Sequence, residues 1–566
     1  MPTGERSRST NPRSTRDRRR AQMNKRWLAA LVTVLAVIAL AAFGAAAHSS
    51  STQNGGTFKI GTSSRIDSLN PYVAFNQDAY NTFEYVYPLL VQYDKSNSHF
   101  APDFATSWKS SNGGKTWTFK TRANAVWSDG KPLTAKDAAW TINTDLKYAS
   151  GGAANAAGLV AHIKRASAPN ATTLVVRYTK AAGNVLGQFQ QLAILPQHVW
   201  SKYTGHKGND LKTFSNSPLV GAGPFKLVKF KKNDIALFQR NDSFYGEKPK
   251  ADGFGLRMFS NEDTLVAALK AHEIDAIESV PGTAIKTLRA GFNIRSAPGV
   301  DQTDFIINSN PKKTAHRELL SLKVKEAMAH AVDRKQIIKV VFLGYAKPAS
   351  TIIPPATGAW HNPSVEPEKF DLSLANKLLD QAGLKKGKDG IRRASGHKMS
   401  YAVITPTDVP STNRTFQILQ PDFRKIGINL TQRALDSTAA FDAMTAPNNK
   451  YLKFDLALWD WVGLIDPDFM LSVVTCAQYA GWNDSGYCNP RYDKMYSQQQ
   501  LTPNQAKRKQ VVWKMQKYLY GQKPYIWLAA QDAVWAVSKN WGGLVASPQG
   551  PFNSISKISL TRVHQQ

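Results

Sequence analysis

Strand-type alternation and helix-type periodicity exchange repeatedly along residues 55–460, and this exchange restricts the fold more than any other feature of the chain. Residues 55–61 alternate around Phe58 and Ile60 and stop at a glycine, which predicts a strand; residues 116–121, around Trp117 and Phe119, predict another. Asp129 and Gly130 form a turn signal before Pro132, and Thr134 with Asp137 has the spacing of a capping box that opens a helix through Ala138, Ala139, Trp140 and Ile142. Residues 221–228 start a strand pair that continues through residues 235–238. Residues 323–343 place Val324, Ala327, Met328, Ala331 and Val332 at helical spacing, with Ile337, Ile338 and Val341 continuing it. A second helix runs from a cap at Asp371 to Gly383, and residues 454–459 predict a strand. Strands alternating with helices give an α/β protein whose sheets are covered by helices. At 566 residues, two or three packed units are expected.

The beginning of the chain sets the compartment. Lys25 and Arg26 precede an apolar run over residues 27–43, followed by small residues including Ala45 and Ala47 and then by a polar stretch. That order is the order of a secretory signal, cleaved after Ala47, with a linker over residues 48–56. The same run approaches the roughly 20 residues that span a bilayer, so an uncleaved anchor is the alternative reading. Met23 would give a signal of ordinary length, which makes it an alternative start. No Cys lies near residue 47, so a lipid-modified Cys is not expected there. Cys476 and Cys488, the two cysteines, predict one disulfide in an oxidising compartment; zinc would need about four ligands and no histidine is close in sequence. The net charge of +31 points to anionic lipid, wall polymer or an acidic ligand rather than nucleic acid, because the basic residues are spread without a nucleic-acid-binding motif.

Several segments, taken together, resemble the dipeptide- and oligopeptide-binding proteins of bacterial ABC transporters, solute-binding protein family 5. They are residues 67–71 (with Asn70 and Pro71), Trp117 to Phe119, residues 127–137, residues 221–225, residues 324–338 with Asp333 and Arg334, and the run Asp466, Pro467, Asp468. The resemblance implies a two-lobe periplasmic-binding-protein-like (type II) fold with an extra domain inserted in the first lobe. Lobe I would take residues 55–72, 217–300 and 525–566; the insert residues 73–216; lobe II residues 301–524. It further implies a monomeric extracytoplasmic receptor that closes on a short peptide and delivers it to an ABC permease, with no cofactor and no resident metal. A nickel chelate, haem or oligosaccharide is the alternative cargo.

By the same resemblance, a carboxylate after a Trp and before the Asp-Pro-Asp run would pair with the peptide's α-amino group. A strict count back from Asp466 falls on Gly463, so Asp460 takes that role only with a shift; otherwise it is a solvated or capping residue. Asp466 itself reads as a turn or cap residue. Trp459 and Trp461, two apart on a strand, share a face that either lines the cleft or packs in the core. Tyr72 and Asn308 follow strand ends that face the cleft in the family. Catalytic readings find little support. Ser128 and Lys131 have Ser-x-x-Lys spacing but sit on a turn, and residues 383–390 miss the spacing of a phosphate loop. A secreted hydrolase or an anchored chaperone are the rival classes.

Overall fold

The computed structural model describes residues 55–566, except 75, 95–99, 408, 449, 480 and 546–561. The expected signal over residues 1–47 and the expected linker as far as residue 54 lie outside the described residues. Strand β1 (Thr57–Thr62) forms where the first alternation predicts it. The insert follows with β2 (Ala105–Ser111), β3 (Thr116–Thr121), helix α1 (Ala135–Lys147), β4 (Ile163–Asn170) and β5 (Thr173–Tyr178). These strands make an antiparallel sheet in the order β2-β3-β5-β4, and α1 covers it with Ala135, Ala138 and Ile142. Helix α1 starts because Thr134 accepts from the Lys136 N–H while the Asp137 carboxylate reaches back to the Thr134 N–H, the reciprocal cap expected from the sequence.

The main sheet is built next: β6 (Phe225–Lys231), β7 (Ile235–Arg240), β8 (Gly253–Met258), β9 (Ala276–Ile277) and the long β10 (Phe292–Ile307). Helices α2 (Leu322–His330), α3 (Arg334–Val340) and α4 (Leu372–Gln381), strand β11 (Ser400–Pro406), helix α5 (Pro410–Lys425), and strands β12 (Asn429–Leu435) and β13 (Leu456–Trp461) follow. The chain then forms α6 (Asp468–Val473), α7 (Pro490–Gln500), α8 (Gln505–Gln522) and the long β14 (Tyr525–Ser538). The continuous strand order is β12-β11-β13-β10-β14-β9-β1-β8-β7-β6.

Two lobes share this sheet. The outer half of β14 packs Val534 and Ala536 on one side and Trp535 and Val537 on the other, within the cores around β1 and β9. Its inner half sends Ile526 and Leu528 into a core with Val324, Leu379 and Phe423, and Trp527 and Ala530 into a core with Met470, Val512 and Met515. Thus residues 525–530 pack with the second lobe, not the first, because β10 and β14 run as a pair through both.

Two local differences from the sequence reading have physical causes. The helical pattern of residues 323–343 breaks into α2 and α3 because Asp333 caps α3 by accepting from the Gln336 N–H. Strand β13 starts two residues later than predicted and runs through Trp461, held by registered pairing to β10 from Leu456↔Ile307 to Trp461↔Gln302. The cap at Asp371 and the left-handed Gly383 bracket α4 as expected. Cys476 and Cys488 are joined in a disulfide.

Candidate functional site

In open α/β sheets, ligands gather at the carboxyl ends of the parallel strands. In the first lobe β1 runs parallel to β8 and β9; in the second β11 runs parallel to β12 and β13. The carboxyl end of β1 carries Thr62, and Glu278 directly follows β9. In the second lobe Asp460 stands near the carboxyl end of β13, and Ser411, in the first turn of α5, donates to its Oδ2 at 2.9 Å.

Between the lobes β10 and β14 lose register. Pro298 pairs with Asp532 and Gln302 with Ala530, so three residues of β10 lie opposite Gln531 alone. This bulge permits a bend in the paired strands. Gly299 is required there, since a Cβ would stand 2.2 Å from the Gln531 carbonyl oxygen. Val300 is buried with Tyr93 of the insert and Ile465. Its carbonyl also explains the glycine that the amine-site count falls on: a Cβ at Gly463 would lie 2.5 Å from the Val300 oxygen.

Carboxyl groups surround this bulge. Asp301 is half-buried, and burial and then the neighbouring Asp460 push its carboxyl up to about 7 against a hydrogen bond from the Gly463 N–H. Burial also raises Asp460, partly offset by the polar side chains of Thr303, Ser411 and Gln531. Its Oδ1 is buried and forms no hydrogen bond of good geometry with the described residues. In the first lobe, burial raises Asp78 to about 6 although Thr62 and Asn81 donate to it at 3.3 Å. Glu278 is raised well above its ordinary value by burial and by Asp78.

The other face of β13 carries Trp459 and Trp461, as their spacing predicts, and that face packs on the core formed with α6 and α8. The Trp461 indole donates to Asp484 Oδ2 at 2.9 Å, and Trp459 stands opposite Asp304 of β10. Tyr72 and Asn308 do not join them. Tyr72 is buried in the first lobe, donating to Asp145 Oδ1 at 2.8 Å and packing edge-on to Trp200. Asn308 is fully buried and ties down the chain before β13, donating to the carbonyls of Tyr451 and Phe454 at 2.9 and 2.8 Å. Both expected cleft contacts are corrected to packing residues, because these internal bonds hold their polar groups within the lobes.

Asp466 turns out to be more than a turn residue. It accepts from the Asp468 N–H at 3.0 Å, as a capping Asp would, and also takes both ends of the buried Arg508 guanidinium at 2.7 Å. The Tyr93 hydroxyl accepts from its N–H at 3.2 Å. Asp468 accepts from Asn184 of the insert at 3.0 Å, and the Gly183 N–H donates to the Gln500 carbonyl at 2.6 Å. The Asp-Pro-Asp run therefore fastens the insert to the second lobe beside the bulge.

Sequence reasoning missed Asp78, Glu278, Asp301, Asp304 and Asp484. Asp304 carried a signal: it is a charged residue directly before the apolar Phe305, Ile306 and Ile307, in a strand central in the sheet.

Two lobes joined by a pair of shared strands, with carboxyl groups at the carboxyl ends of both sets of parallel strands, have the architecture of a solute-binding protein. The chain belongs to the family described as Bacterial extracellular solute-binding proteins, family 5 Middle, whose model matches residues 99–481. The oligopeptide-binding protein AppA of Bacillus subtilis is 23% identical over 550 residues, covering 94% of this chain and 98% of AppA. The structure of that AppA with a nonapeptide superposes with a TM-score of 0.77, covering 91% of this chain and 100% of the other at 21% identity. NikZ from Campylobacter jejuni, solved with Ni(L-His), gives a TM-score of 0.78 over 90% of this chain and 99% of its own, at 24% identity. DppA from Helicobacter pylori, an ABC transporter-associated periplasmic binding protein solved with the peptide STSA, gives 0.74 over 91% and 98% at 19% identity. No helix among the described residues is long and apolar enough to cross a membrane.

Proposed function

We propose that this chain is the extracytoplasmic receptor of an ABC importer, that its cargo is a short peptide, and that Asp460 receives the peptide's α-amino group. The observation that carries the peptide reading is Asp460 Oδ1: a buried carboxylate oxygen with no hydrogen-bond partner among the described residues, on the strand paired with β10 next to the interlobe bulge. An ammonium group supplies the missing hydrogen bonds and the compensating charge together. Its mechanism is closure. Cargo held by groups of both lobes favours the closed arrangement by its differential affinity, and the permease reads that arrangement. The peptides bound by AppA and DppA agree with this cargo class, while the Ni(L-His) of NikZ marks the family's other chemistry.

Native mass spectrometry of the exported protein, purified without denaturation, tests the reading. A retained mixture of peptides is expected, and Asp460→Asn is expected to lower peptide affinity at least about tenfold, the loss of one charge-assisted bond. A retained sugar or metal chelate in place of peptide would refute it.

A further inference from the structure

Beyond Asp460, the second lobe holds a carboxyl pair with no assigned purpose. Asp304 and Asp484 are 0% and 1% exposed. Asp484 is engaged, accepting from the Trp461 indole at 2.9 Å and from the Tyr525 hydroxyl. Asp304 is not: both of its carboxylate oxygens are buried and neither meets a hydrogen-bond partner among the described residues. The chain has 72 Lys and Arg residues, yet among the described residues none forms an ion pair with Asp304, Asp484, Asp460 or Asp301. Two other buried carboxylates of the second lobe are given cations: Asp466 has Arg508, and Glu368 has both Arg334 and Lys523.

Aromatic rings surround the pair. Trp459 of β13 and Trp527 of β14 flank Asp304 in register, and Tyr525 lies 5.0 Å from Trp527 between ring centroids. From Trp461 a chain of edge contacts leads outward to Phe469 at 6.2 Å and on to Trp482 at 5.7 Å, the last of which is 48% exposed. Aromatic faces around an unpaired carboxylate recognise one kind of group well, an organic cation, which gains from the charge and from the ring quadrupoles together.

We infer that Asp304 and Asp484, boxed by Trp459 and Trp461, form a subsite for a positively charged group of the cargo, an alkylammonium or guanidinium. The inference rests on the receptor reading above and narrows it. With Asp460 taking the α-amine, the box reads a second positive charge, so the receptor selects basic peptides. Burial raises both carboxyls above their ordinary values, with Asp484 and Asp460 adding to the rise at Asp304.

Titration calorimetry on the full exported protein, with retained cargo dialysed away, tests this with four probes: Arg-Ala-Ala, its uncharged analogue norleucine-Ala-Ala, N-acetyl-Arg-Ala-Ala, and agmatine. Arg-Ala-Ala is expected to bind at least about tenfold tighter than the norleucine peptide, with Asp304→Asn and Asp484→Asn closing the gap to within about threefold. Persistence of the preference after acetylation assigns the box to the side chain. Loss of binding to the acetylated peptide in Asp460→Asn and wild type alike, with agmatine also unbound, would overturn it. Equal affinity for the arginine and norleucine peptides, an undiminished gap in Asp304→Asn, or no binding of any cationic probe overturns the subsite. Equal peptide affinities would leave the peptide reading standing, whereas agmatine binding without any peptide binding would keep the subsite and remove the peptide reading. Thermal melting separates a folding role: as a subsite residue Asp304→Asn melts no lower than the wild type, because it removes an unpaired buried acid, and Asp304→Leu serves if the Asn variant is poorly produced.

Discussion

At the residue scale, the carboxyls of Asp78, Glu278, Asp301 and Asp460 are all held above their ordinary values by burial. Asp301 is the clearest, raised to about 7 by burial and by Asp460. A carboxyl whose folded pKa lies above its unfolded value of about 3.9 contributes stability that is fully present below the unfolded value and lost as pH rises through the folded one. Asp301 therefore favours the empty fold at pH 4 and opposes it progressively toward pH 7. Asp301→Asn is expected to gain melting temperature relative to wild type as pH rises across that window, while the two coincide more closely near pH 4; parallel curves across the window would contradict the assignment. Lys325, lowered to about 7 by burial, acts above this window and does not confuse it. Little of this chemistry was legible in the sequence. Asp460 stood out because it neighbours a Trp and the Asp-Pro-Asp run, but what raises a carboxyl is what packs around it, and the contacts that bury Asp78, Glu278 and Asp301 join segments far apart in the chain.

At the scale of elements, local chemistry was readable wherever the signal was a hydrogen bond or a dihedral. The Thr134–Asp137 box, the Asp371 cap and the left-handed Gly383 all depend on neighbours within four residues, and all are found. Residues 323–343 misled because Asp333 interrupts a periodicity that continues on both sides of it. The β10–β14 bulge was invisible, since its glycine is set by a carbonyl 232 residues away in the chain, that of Gln531. That glycine carries a prediction of its own. Gly299→Ala would place a methyl 2.2 Å from the Gln531 oxygen, so the paired strands must shift at the point where the lobes join. The variant is expected to lose about 1–3 kcal/mol in urea unfolding, in the range of overpacked sites, and to bind retained cargo more weakly. Unchanged stability and affinity would show that the bulge tolerates the shift and does not set the lobe arrangement.

At the scale of the whole molecule, the family pattern foretold two lobes and an insert, but not what fastens them. The fastening is the Asp-Pro-Asp run. Asp466 and Arg508 are 5% and 1% exposed, joined by two bonds of 2.7 Å, and the guanidinium lies 4.9 Å from the centre of the Trp360 ring. Asp468, two residues on, accepts from Asn184 of the insert, so the pair and the insert contact stand on one short segment. Removing one partner of such a pair leaves a buried charge uncompensated, which costs about 3–5 kcal/mol, whereas replacing both with apolar groups is often nearly neutral. Asp466→Asn is thus expected to destabilise the protein by that amount in urea unfolding, and Asp466→Leu with Arg508→Met to recover most of it. The two variants should part in function. If the charges set only stability, the double variant regains cargo affinity with its stability. If they also fix where the insert stands against the second lobe, it regains stability but binds more weakly, because Asn184 and Tyr93 are no longer held at one position against the Asp-Pro-Asp run.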